Sequence, residues 1–181
     1  VNERLKHNFL CNLQVKIMRK ILIISQLLFL SMSTYAQNKS IEKNVSEKSI
    51  IEWRRHIHQN PELSFNEVET SKYVEQQLKS FGNIEIVKPT KTSVVGILKG
   101  NKPGKTVAFR ADMDALPIQE DTGLAFTSKT KNVSHACGHD THTAMLLGTA
   151  QTLSKMKNEI NGTVYFIFQH AEEKDPGGAL E

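Results

Sequence analysis

Apolar positions along the chain recur with two periods. In SEKSIIEWRRHIHQN (46–60) Ile50, Trp53 and Ile57 share one face at helical spacing, with charges on the others. Pro61 ends that helix, because its ring and missing N–H do not suit a helix interior. Ser64 and Glu67 have the spacing of a capping box, which predicts a second helix running to about Phe81 with Gly82 at its C-terminal end. Strand signals follow in Ile84–Val87, TSVVGILKG (92–100) and KTVAFRADMD (105–114). The NKPG between the last two predicts a hairpin turn. THTAMLLGTAQTLSKM (141–156) is apolar on more than one side, so a well-buried helix is expected, with Gly148 permitting close packing. GTVYFIFQ (162–169) is a nearly continuous apolar run, as in a central strand covered on both faces. PGGAL (176–180) predicts a loop entering another helix. This order of elements predicts an α/β fold with helices packed on the faces of a sheet.

Composition changes this picture at one end. The chain has 181 residues, enough for one domain with a real core, and a net charge of +4. All of that charge lies in residues 1–36, where Arg4, Lys6, Lys16, Arg19 and Lys20 face only Glu3. The rest is neutral and carries no basic footprint for nucleic acid. Met18 opens MRKILIISQLLFLSMSTYAQ, with a positive start at Arg19 and Lys20, an apolar stretch Ile21–Leu30, and small residues before Gln37. This is the pattern of a secretory signal peptide over 18–36, with an uncleaved membrane anchor as the alternative. The expected organisation is an upstream extension over 1–17, the signal, a polar leader over 37–46 and a folded domain over 47–181. The mature product would be secreted or periplasmic, without stable membrane insertion. Removal of Cys11 would leave Cys137 as the only cysteine: buried and inert, reactive, or a metal ligand.

Three segments hold the reactive residues: RADMD (110–114), HACGHDTH (135–142) and HAEE (170–173). Each falls where a predicted strand ends or a helix begins, the edge at which α/β folds gather their sites. Cys137 and His139, two apart in an extended segment, would project the same way and grip one divalent ion. Asp140 could cap the helix at Thr141 or orient a ligating histidine, and His135 could be an ordinary exposed residue. Glu172-Glu173 follows a buried strand; neighbouring side chains diverge from extended backbone, so one carboxylate can bind a metal while the other takes a proton from water. A solvated surface pair is the plainer alternative. Asp112 and Asp114 share a strand face, where one could orient a ligand and the other anchor a loop.

Four blocks in order, RRHIHQNPELSFNEVET, VAFRADMDALPIQEDTGLAF, HACGHDTHTAMLLGTA and FIFQHAEEKDPGGA, resemble the M20 family of metallopeptidases and amidohydrolases, in its N-acyl-amino-acid amidohydrolase (hippurate hydrolase-like) branch. The resemblance implies a zinc-exopeptidase-like catalytic domain with a mixed sheet. It further implies Cys137, His139 and Glu173 as metal ligands, Glu172 as general base, and Asp112 as the aspartate orienting the metal centre. Arg110 stands where the peptidase branch has a metal-binding histidine, and His170 where the family more often has proline. The implied cofactors are two divalent ions, zinc or manganese. The implied partner is a small N-acyl amino acid or dipeptide-like substrate, and a homodimer is allowed. Family members are much longer and carry further histidine ligands and a lid domain. The chain is therefore expected to be an N-terminal part of such an enzyme, with an inactive fragment or a non-enzymatic metal-binding module as the alternative.

Overall fold

A computed structural model describes residues 18–26 and 41–181. Much of the expected signal segment thus lies outside the described residues. Residues 18–26 are helical, and no described helix is long and apolar enough to cross a membrane. Residues Asn44–Glu181 form one compact unit.

Helix α1 spans Glu47–Gln59, and the Ser46 hydroxyl accepts the Ser49 N–H at its start. Trp53 and Ile57 bury the predicted face. Helix α2 spans Val68–Phe81 and ends before Gly82 as expected, but its N-cap is Glu67 rather than Ser64 and the capping box does not form. The Glu62 carboxylate accepts the free N–H groups of Glu69 and Thr70 instead. Ser64 donates to Asp114, and Glu67 turns its side chain away from the helix. Tertiary partners outcompete the local ones, because a buried acceptor left unpaired costs more than an exposed cap contributes.

Strands β1 (Ile84–Val87), β2 (Val94–Lys99), β3 (Lys102–Asp112) and β4 (Asn161–Gln169) form one mixed sheet in the order β1-β2-β4-β3. The hairpin expected between β2 and β3 is absent. β4 lies between them, antiparallel to β2 and parallel to β3. The intervening residues bond to the start of β4, with Gly100 N–H donating to Gly162 and Asn101 N–H to Ile160. A strand between two others pairs its backbone N–H and C=O groups on both edges, and here the link does not fold back on itself but passes around the start of β4, where the β3–β4 register shifts between Lys102 and Thr106. β4 is central as expected, yet covered completely on one face only. Val164, Phe166 and Phe168 are buried, whereas Thr163, Tyr165 and Ile167 alternate with them half-buried.

Helix α3 (His139–Lys155) makes the crossover between parallel β3 and β4. Its Ala144, Leu147 and Ala150 join Trp53, Val74, Leu78, Phe166 and Phe168 in a single core. Gly148 fits the expected close approach: a Cβ there would lie 2.7 Å from Ile50 Cδ1. PGGAL ends in one short turn, Gly178–Leu180. Because β3 and β4 run parallel, both finish at the same sheet edge, where Asp112 pairs with Gln169. The chain leaves that edge twice, into 113–138 and into 170–177, and α3 begins beside it.

Candidate functional site

At this edge the structure brings Cys137, His139 and Glu173 together, with one ligand atom of each within 4.8 Å of the others. The route differs from the expected extended segment. Gly138 adopts φ +99° and serves as N-cap of α3, so Cys137 precedes a left-handed turn and His139 is the first helical residue. The turn places both side chains on the side of the 170–173 segment. Glu172 and Glu173 do not lie on extended backbone either, since Ala171 before them has φ +48°. Both carboxylates approach the same nitrogen: His139 Nε2 is 3.9 Å from Glu172 Oε2 and 3.7 Å from Glu173 Oε1. Glu173 Oε1 is buried without a hydrogen-bond partner, while the Glu172 side chain is 43 % exposed and open to water.

Asp114, rather than Asp112, orients His139. The ring Nδ1 lies 3.0 Å from the Asp114 carbonyl and 3.2 Å from Asp114 Oδ1. Both are acceptors, so Nδ1 carries a proton, and Nε2 is the nitrogen turned to the glutamates. Asp114 Oδ2 also accepts Ser64 Oγ–H at 2.6 Å and Glu173 N–H at 2.9 Å. Burial alone would raise the Asp114 pKa. Hydrogen bonds from His139, Ser64 and the Glu173 and Glu172 amides outweigh it and hold the carboxyl well below the usual range. Burial likewise opposes a charge on His139, but its bonds to Asp114 and the nearby Asp112 raise its pKa. The Cys137 thiol is pushed up, first by Glu173 and then by burial and the charges of Glu172 and Asp114.

Asp112 sits elsewhere in the cluster. Its Oδ1 accepts Arg110 Nε–H and Nη2–H at 2.9 and 2.7 Å. It also forms a second group of potential ligands with His139 and exposed His142. Its carbonyl accepts Thr143 Oγ1–H, which fastens α3 to the end of β3.

Asp140 neither caps α3 nor touches the histidine ring of His139. Its buried Oδ2 accepts Arg54 Nε–H at 2.7 Å and faces His58 Nδ1 at 2.8 Å, anchoring the helix start to α1. His58 Nε2 faces Glu120 Oε1 at 3.0 Å. His135, which could have been an ordinary exposed residue, is buried with neither ring nitrogen hydrogen-bonded among the described residues, and burial foremost lowers its pKa to about 4. Sequence reasoning missed Arg54, His58 and Glu120. A signal existed, for Arg54 and His58 are four apart on one face of α1.

Burial would raise the Glu120 pKa, yet hydrogen bonds from Thr122, Ser128 N–H and His58 take it to about 2. Its folded pKa is depressed, so its contribution to stability is whole above the ordinary carboxylate value of about 4.3 and fades as pH falls toward about 2. Glu120→Gln is therefore expected to flatten the urea midpoint against pH across that window. An unchanged slope in the variant would show that the pairing adds nothing.

Residues 108–181 match the model of peptidase family M20/M25/M40. An N-acyl-L-amino acid amidohydrolase of Geobacillus stearothermophilus is 58 % identical over 132 residues, which are 73 % of this chain and 36 % of the relative. Over residues 108–181 this is a peptidase family M20/M25/M40 sequence. Among its M20 relatives, thermostable carboxypeptidase 2 of Saccharolobus solfataricus is 56 % identical over 128 residues, 70 % of this chain and 33 % of the relative. The crystal structure of the Bacillus subtilis YXEP protein, a dinuclear metal-binding peptidase of the M20 family, superposes with a TM-score of 0.68 at 50 % identity. It covers 71 % of this chain and 36 % of that one. This M20 chain thus spans about a third of the length of the curated relatives it matches.

Proposed function

We propose that the protein is a metal-dependent amidohydrolase that cleaves the amide bond of N-acyl amino acids or small dipeptide-like conjugates. One observation carries the reading. A thiol, an imidazole and a carboxylate converge within 4.8 Å, and the inward oxygen of that carboxylate is buried without a donor. An orphaned buried carboxylate oxygen is costly, and a divalent cation fits it. Soft thiolate and imidazole donors suit zinc, while the carboxylate also tolerates manganese. A pair of ions, as in the dinuclear relative, would take further ligands from beyond these three residues.

Ions held by Cys137, His139 and Glu173 would polarise the amide carbonyl and ease ionisation of water. Glu172, exposed beside them, accepts the proton of the attacking water at its carboxylate and delivers it to the leaving amine. Asp114 keeps the His139 proton on Nδ1 and so keeps Nε2 free to bind. Asp112, neutralised by Arg110, stands against His139 as a second carboxylate steadying the centre. Residues 18–36 are read as an export signal and the product as secreted or periplasmic. Arg19 and Lys20 ahead of the apolar stretch support this.

Calorimetric titration with Mn²⁺ or Zn²⁺, run beside an amide-hydrolysis assay on a panel of N-acyl amino acids, tests the reading. The chain is expected to bind the metal and Cys137→Ala to lose most of that affinity. Equal binding by the variant, or no binding by the native chain, would refute the proposed centre.

A further inference from the structure

Glu67 is a fully buried carboxylate with no place in the chemistry above. It occupies the N-cap of α2, yet makes no side-chain cap bond, because Glu62 serves the free N–H groups there. Its Oε1 instead accepts two backbone N–H groups, one from two residues before it and one from far along the chain. Phe65 N–H lies at 3.1 Å and Ala171 N–H at 2.7 Å, although Ala171 is 104 residues away. Both donors are non-glycine residues at positive φ, +67° for Phe65 and +48° for Ala171. L residues rarely adopt this conformation, and it persists only where surroundings enforce it. The rings around the clamp reinforce it, with Phe65 edge-on to His170 at 5.7 Å. The His170 ring in turn packs so closely on Gly178 that a Cβ there would lie 2.7 Å from the ring. The residue after Ala171 is Glu172.

We propose that Glu67 is a positioning residue for Glu172 and Glu173. Through one oxygen it holds the Phe65 and Ala171 amides together, and so fixes the chain reversal that aims both carboxylates at His139. The inference rests on the reading of Cys137, His139 and Glu173 as a metal centre. It makes reach, rather than charge, the property that matters. Glutamine keeps an acceptor oxygen at the same distance from the backbone. Aspartate keeps the charge but is one methylene short of spanning both amides.

Cobalt(II) titration of the 181-residue chain tests this, read by the thiolate-to-cobalt absorption that reports Cys137 and by circular dichroism for the fold. Glu67→Gln is expected to bind nearly as tightly as the native chain. Glu67→Asp and Glu67→Ala should bind about 10-fold or more weakly, the usual effect of losing a group that orients metal ligands. Leu78→Ala, a core truncation on the same helix, serves as a control for lost stability and should bind as the native chain does. Glu67→Asp binding as well as Glu67→Gln, or Leu78→Ala losing as much affinity, would overturn the proposal. So would unfolding of both the Gln and Asp variants, which would make Glu67 a residue of the fold alone. No thiolate band in the native chain would instead sink the metal centre itself, whereas a band lost in Cys137→Ala but kept in Glu67→Asp sinks only this inference.

Discussion

Glu172→Gln is expected to reduce kcat for an N-acyl amino acid by at least about 100-fold, the low end of what a positioned general base contributes. Metal content should stay close to native. The two effects separate because of where Glu172 stands. Its carboxylate lies 3.9 Å from His139 Nε2 but is 43 % exposed, whereas Glu173 beside it is only 21 % exposed and holds the orphaned buried oxygen. A group that reaches both the cluster and water suits proton transfer. Glutamine preserves its size and removes only the basic oxygen. KM should change little, since no binding contact is lost, so kcat and kcat/KM should fall together. Steady-state kinetics with metal analysis checks this. Retained turnover, or metal lost in step with activity, would remove Glu172 from the role of base.

The second large effect is expected at Asp114. Asp114→Ala would take the acceptor from the buried Ser64 Oγ–H and the part-buried Glu173 N–H, and one of two acceptors from His139 Nδ1–H. The last retains the Asp114 carbonyl at 3.0 Å, so the ring is loosened rather than freed. Removing acceptors from buried donors costs about 1–3 kcal/mol each. A loss of at least about 2 kcal/mol in urea unfolding is therefore expected. Metal affinity should fall about 10- to 100-fold, because both His139 and Glu173 depend on this one carboxylate. The pH dependence follows from the depressed folded pKa of Asp114. Its stabilisation is complete above the ordinary aspartate pKa of about 3.9 and is lost as the pH falls below it. The alanine variant should lack that acid-side loss. A variant with native stability and native metal binding would show Asp112 to be the orienting aspartate after all.

Asp112 and Asp114 also mark how far reading the chain could go. Both close the strand expected over 105–114 two residues apart, and period alone cannot say which meets the histidine. The outcome turned on Arg110, which lies two residues before Asp112 and takes its carboxylate, while Asp114 passes beyond the strand into contact with α3. Local rules failed at Ser64 and Glu67 for a related reason. Their spacing satisfied a capping box, but buried demands from residues 114 and 171 outweighed it. These long-range bonds have no local signature.

The element boundaries, the apolar faces of α1 and α3 and the gathering of reactive residues at strand ends were determined by the amino-acid sequence itself. Periodicity and turn chemistry act within a few residues, and so they can be read within a few residues. The tertiary structure alone decided that β4 enters between β2 and β3. It also decided that a left-handed Gly138 brings Cys137 to His139, and that Asp114 and Glu67 hold the glutamate segment in place. An alternating pattern tells a strand which face to bury but not which strand to lie beside. A carboxylate's charge does not name its partner until the folded chain has removed water from all but one choice.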